Sequence, residues 1–140
     1  MEDEHQHFVG KVAHKALIER DGKVLLARSA RGGHWDIPGG RIHFGERPKD
    51  AVAREVKEEL GLDVIVGAPF FADLITATLS PEVRYFICFH VTLKNPTQEP
   101  SFPSDEASEV LWISKDEVET VHTFEVCRDA LRAHFAQNNS

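Results

Sequence analysis

Apolar positions along the chain change period several times, and each change marks an element. From Val83 to Leu93 the apolar residues Val83, Tyr85, Ile87, Phe89, Val91 and Leu93 alternate strictly. That is the period of a long strand with one buried face, and Cys88 falls on its more polar side. Over Pro48–Leu60 the period lengthens, with Val52, Val56 and Leu60 recurring every four residues along one helical stripe. Pro48 suits the first helical position, where a missing N–H costs nothing, and Gly61 suits the position just past the end. Phe8–Glu19 and Lys23–Arg28 read as strands joined by the hairpin signal Asp21-Gly22. Val64–Leu79 reads as a strand interrupted near Ala68-Pro69, and Val110–Ile113 as a short strand. Ser114 and Glu117 have capping-box spacing and predict a short helix. Phe124, Cys127, Leu131 and Phe135 share one side of an amphipathic terminal helix, Phe124–Phe135. Ser29–His34 and Asn95–Asp105 read as loops, and Pro38-Gly39-Gly40 excludes a regular helix over Trp35–Gly45. Strands, helix, strands, helix predict an α/β fold, a mixed sheet with helices packed on both faces.

Composition narrows the setting. A chain of 140 residues with 41% apolar and 28% charged positions predicts a single domain over residues 1–140, with Met1–His7 as a loose polar tail. Two cysteines make no disulfide framework, so a reducing cytoplasm is the expected location. The start Met1-Glu2-Asp3-Glu4 is the opposite of a signal peptide, and no apolar run is long enough for a membrane span. A net charge of −7 argues against a broad nucleic-acid surface. Such a chain binds an anionic phosphate most readily through a divalent cation.

The stretch Gly40–Leu62, GRIHFGERPKDAVAREVKEELGL, bears on that point. In the predicted helix Glu55, Glu58 and Glu59 lie three and four residues apart and share one face. Three like charges repel, and Arg54, at i, i+4 from Glu58, offsets only part of this. A hard cation such as Mg²⁺ resolves the rest with oxygen ligands. A solvated acidic helix face is the commoner explanation for such a cluster taken alone.

The flanks decide between them. The stretch fits G-x5-E-x7-R-E-U-x-E-E-x-G-U, with U a bulky aliphatic residue, through Gly40, Glu46, Arg54, Glu55, Val56, Glu58, Glu59, Gly61 and Leu62. A chance fit in this chain is on the order of one in ten million at average composition. The chain thereby resembles the Nudix hydrolases, and the lead-in Trp35-Asp36-Ile37-Pro38-Gly39-Gly40 resembles theirs too. The resemblance implies a Nudix-type α/β/α sandwich with a mixed β-sheet between helices. It implies Mg²⁺, or Mn²⁺, held by Glu55 and Glu59, by Glu58 directly or through water, and by the Gly40 carbonyl. Arg54 and Glu46 would position these ligands. The implied chemistry is metal-assisted water attack on a phosphoanhydride, with a carboxylate taking the proton. That base is a helix glutamate or a loop acid; Glu106 is the loop candidate, with Asp105 and Glu109 as competitors. Catalytic roles are thus expected at Glu59, Glu58, Arg54 and Glu106.

The implied substrate is a nucleoside diphosphate linked to another moiety X. Alternatives are a nucleoside triphosphate, oxidised ones included, cut to a monophosphate, and a non-catalytic nucleotide-sensing module. An isomerase on the same scaffold would need further acid and base groups that the sequence does not display. A homodimer is expected by analogy alone. Arg28, Arg31, Arg41 and Arg84 are candidate phosphate contacts, and His43 is a candidate substrate contact. Trp35, Phe44, Phe70, Phe71 and Tyr85 are candidate base-stacking residues, although packing explains each of them as well. His5 and His7 belong to the polar tail, and neither cysteine has a neighbour that would activate it. Where many members of the family have Ser or Thr, this chain has Arg47, which cannot cap the helix, leaving Asp50 in the first turn to favour the macrodipole.

Overall fold

The computed structural model describes residues 10–29, 31–76 and 83–137. The tail Met1–His7, with His5 and His7, lies outside them, as do Phe8 and Leu79. Six strands are present: β1 (Lys11–Arg20), β2 (Lys23–Arg28), β3 (Gly39–Arg41), β4 (Val64–Thr76), β5 (Val83–Leu93) and β6 (Glu109–Ile113). Two α-helices join them, α1 (Pro48–Leu60) and α2 (Glu125–Gln137). The sheet runs β4-β5-β1-β2-β6. β1 and β5 are parallel and the other pairs antiparallel, so the sheet is mixed as expected. No helix among the described residues is long and apolar enough to cross a membrane.

One irregularity positions the site. β1 pairs with β2 only near their hairpin, at Glu19↔Val24 and Arg20↔Lys23. Farther from the turn the two strands part, and Trp35–Arg41 runs between them. Ala27 exchanges hydrogen bonds with Asp36, Ala16 N–H donates to the Pro38 carbonyl at 2.7 Å, and β3 pairs with Ala13–Lys15 of β1. The Pro-Gly-Gly segment is therefore not a free loop. Its two glycines are strand residues at a split in the sheet, beneath α1.

Each face of the sheet has its own core. On the α1 side, Ala16, Ile18, Phe89 and Val91 pack against Val52, Val56 and Leu60. On the α2 side, Leu17, Leu26, Phe86 and Cys88 pack against Cys127, Ala130, Leu131 and Phe135. This corrects the reading of β5 as buried on one face. Ile87, Phe89, Val91 and Leu93 lie on the α1 side, but Phe86 and Cys88 meet α2, so Cys88 is fully buried and not on a polar side. A central strand covered on both faces need not alternate.

Helix α1 has the expected limits. Arg47 makes no side-chain cap, and Gly61 closes the helix at φ 70°, with its N–H on the Lys57 carbonyl. A side chain at Gly61 would also strike Ser101, its Cβ lying 2.0 Å from Oγ. Five elements differ in detail from expectation. β1 runs Lys11–Arg20 and β6 begins at Glu109. β4 is one strand with register shifts around Pro69, because proline withdraws a ladder donor without ending the strand. The short helix after Ser114 is a single 3-10 turn, Lys115–Glu117. Phe124 precedes α2 and is 45% exposed, so it is not part of the buried stripe; His134 is, at 2% exposed.

Candidate active site

Helix periodicity places Glu55 and Glu59 one turn apart on the side of α1 that meets the split in the sheet, and both are 9% exposed. Burial there leaves their charges short of water. The loop before β6 brings Glu106 to them, and one carboxylate oxygen from each of the three lies within 4.8 Å of the others. Glu58 lies outside this group. It is exposed and accepts from Arg54 Nη1 at 3.1 Å. The third member of the acidic cluster is thus the loop glutamate and not the third helix glutamate.

Arg54 ties the cluster to the turn before the helix. Its Nε and Nη2 donate to the two carboxylate oxygens of Glu46 at 2.7 and 3.1 Å. Its Nη1 donates to Glu55 at 2.9 Å, and Nη2 also reaches the Arg41 carbonyl at 3.1 Å. Glu46 Oε1 further accepts the His43 N–H at 3.0 Å. These hydrogen bonds, from Arg54 above all, hold the Glu46 carboxyl down at about 2. Glu46 in turn raises the Arg54 pKa above the ordinary arginine value.

Glu59 is displaced the other way. Burial pushes its pKa up to about 7, and the charges of Glu106 and Asp36 add to this, while Lys15 and a hydrogen bond from the Gly39 backbone oppose it. Lys15 and Asp36 were not anticipated as site residues. Lys15 Nζ donates to Asp36 Oδ2 at 3.1 Å, and the Cys127 thiol donates to Asp36 Oδ1 at 2.9 Å. Burial works against the Lys15 charge, but Asp36, Cys127 and Glu59 together outweigh it and the ammonium is retained. The sequence carried one signal for Lys15: a lysine within the strand, directly before the apolar run Ala16–Ile18.

The cluster suits a divalent cation. Three carboxylates form a hard donor set of the kind Mg²⁺ and Mn²⁺ take. Gly40 lies so close to Glu55 that an added Cβ would stand 2.5 Å from the carboxyl carbon. A side chain at this position would displace that carboxylate from its place. Beside Glu106 opens a cleft of about 700 Å³ whose walls include Arg31, Phe102, Asp105 and Ser108.

The remaining candidates divide. Arg31 joins that cleft. Arg28 is paired with Glu109 and stacks over Trp35 at 4.2 Å, so Glu109 is engaged away from the three carboxylates. Asp105 lines the cleft without belonging to the cluster. Arg41, His43 and Phe44 are exposed on the turn before α1, Phe44 fully so, and Arg84 is exposed on β5. Phe70 stacks on His90 at 4.1 Å and Phe71 packs edge-on against Phe86, which are packing roles. Tyr85 is half-buried on β5.

Known proteins share the fold and much of the sequence pattern. The family model of the NUDIX domain matches residues 11–134. A MutT-like protein of Streptomyces ambofaciens is 33% identical over 102 residues, 73% of this chain and 62% of that protein. The CTP pyrophosphohydrolase of Escherichia coli (strain K12) is 31% identical over 106 residues, 73% of this chain and 74% of that protein. Among solved structures, the E. coli ORF135 protein superposes with a TM-score of 0.75 at 26% identity, covering 91% of this chain and 90% of that one. A MutT protein from Methanosarcina mazei Go1 gives 0.76 at 26% identity, covering 93% and 96%. The sandwich of a mixed sheet between two helices is therefore the Nudix fold. With Glu55 and Glu59 of the Gly40–Leu62 stretch gathered beside Glu106 at the split in the sheet, and the family match running from β1 into α2, the chain belongs to the Nudix hydrolases.

Proposed function

We propose that the chain is a divalent-metal-dependent pyrophosphohydrolase acting on a nucleoside phosphoanhydride. One observation carries the reading: Glu55 and Glu59, one turn apart on α1, and Glu106, from a loop about 50 residues farther on, bring carboxylate oxygens within 4.8 Å of one another at a partly buried site. In this reading the three would hold Mg²⁺ or Mn²⁺, with the Gly40 backbone beside Glu55 and Glu58 at the margin. When bound, the ion supplies charge neutralisation at the phosphate oxygens and acidifies water. The chain's residues do the rest. Arg54 fixes Glu55 and Glu46 so that the acids keep their spacing. Glu59 is one candidate to take a proton from attacking water, through a carboxylate oxygen left off the ion. Glu106 is the second candidate for that role. Arg31 is placed to meet phosphate in the adjoining cleft.

Nothing in the geometry favours a nucleoside diphosphate linked to X over a triphosphate. The relatives do favour the triphosphate. One that matches most of this chain is a CTP pyrophosphohydrolase, and 8-oxo-dGTP diphosphatases match shorter stretches. We therefore place hydrolysis of a nucleoside triphosphate to a monophosphate and pyrophosphate first, and the diphosphate-X substrate second.

The test is a panel of CTP, other triphosphates, oxidised triphosphates, nucleotide sugars, ADP-ribose and dinucleoside polyphosphates, each with Mg²⁺ or Mn²⁺. Pyrophosphate release from a triphosphate supports the first reading, and cleavage confined to diphosphate-linked substrates supports the second. Glu59→Gln is expected to lower kcat by about 10²- to 10⁴-fold with the fold kept. Binding without turnover across the panel would mean a nucleotide sensor and sink the enzymatic reading.

A further inference from the structure

A second cleft, of about 570 Å³, opens at the other end of α1, between the head of the helix and strands β1, β4 and β5. None of the three clustered glutamates lines it. Its floor is apolar and flat, with Pro69, Ile87 and Phe89, and its rim carries Arg47, Lys49 and Asp50. His14 also lines it, stacked on Phe89 with ring centroids 6.0 Å apart. His14 is 4% exposed, and its Nδ1 is the one buried side-chain nitrogen or oxygen among the described residues without a hydrogen-bond partner. A buried polar atom left so is destabilising unless something else satisfies it.

The backbone at this cleft is unsatisfied as well. The first bond of α1 runs from the Ala51 N–H to the Arg47 carbonyl, and no side chain caps the helix. The N–H groups of Lys49 and Asp50 precede that bond and point out of the helix start, where the macrodipole favours negative charge. Arg47 and Lys49 are exposed, and neither is ion-paired among the described residues. Two cations face the carboxylate of Asp50 on the rim, and Glu46, whose charge also reaches His14, is already engaged by Arg54.

We propose that this cleft is a separate ligand site for a small organic anion, a phosphate or carboxylate on a flat apolar body. The anionic head would meet the Lys49 and Asp50 amides, the Arg47 and Lys49 charges and, as a donor tautomer, His14 Nδ1. The body would lie on Phe89, Ile87 and Pro69.

Titration of the metal-free full chain with phenyl phosphate, benzoate and inorganic phosphate, followed by amide and histidine-ring nitrogen NMR, tests this. Without a metal the acidic cluster repels all three probes. Phenyl phosphate or benzoate is expected to shift the Lys49, Asp50 and Ala51 amides and the His14 ring saturably, with inorganic phosphate weaker. Which of the two binds tighter identifies the head group. Lys49→Glu is expected to weaken binding about tenfold or more while leaving the rest of the spectrum in place. Absence of saturable shifts at these positions, or an affinity unchanged in Lys49→Glu, overturns the site. Equal affinity for inorganic phosphate overturns the apolar half of the proposal.

Discussion

Glu59 meets opposing demands. It sits far enough inside to be short of water, yet three other charged groups act on it from β1, the Trp35–Gly40 segment and the loop before β6. Its carboxyl is at about 7 in the folded chain against 4.5 as the ordinary value. The native state therefore binds more protons than the unfolded state between these pH values, so stability falls as pH rises through that window. The metal-free protein is expected to lose about 3 kcal/mol between pH 4.5 and 8 from this group alone. Added Mn²⁺ should raise the melting temperature more at pH 8 than at pH 5, and an equal shift at both would contradict the assignment. Arg54 gives a second expectation. Lysine keeps the charge but not the planar fork that spans Glu46 and Glu55, so Arg54→Lys should weaken Mn²⁺ binding about 10- to 100-fold, read by calorimetry. The residues with such roles were legible when they lay within one stretch, as Glu46, Arg54, Glu55 and Glu59 do. Lys15 and Asp36 were not, because their contact is made by strand pairing across 21 residues, which no local spacing encodes.

Among the elements, α1 was legible from end to end because Pro48, a four-residue apolar repeat and Gly61 all agree. β5 was half legible. Its alternation named the face toward α1, but Phe86 and Cys88 are buried by α2, an element about 40 residues farther on. β3 was not legible, since Gly39–Arg41 becomes a strand only because β1 and β2 diverge around it. The two-sided core has measurable consequences. Leu131, 0% exposed at the centre of the α2 contact, should cost about 2–5 kcal/mol on truncation to alanine, measured by denaturant unfolding. Both cysteines lie on that side, and burial raises both thiols, Cys127 to about 12. Neither should react with a thiol reagent until the chain unfolds; labelling of the native protein at pH 8 would show that α2 opens readily.

Taken whole, the molecule arranges its chemistry around a sheet whose central pairing is not local. β1 lies parallel to β5 over Lys11–Glu19 and Arg84–Thr92, while β2 completes its pairing only with β6. A chain leaving the ribosome would expose the whole of Gly40–Leu62 well before β5 exists to stand beside β1. The acidic residues would then have been synthesised long before they had a place to gather, and the ion that suits them would bind at the last stage of maturation instead of guiding the first.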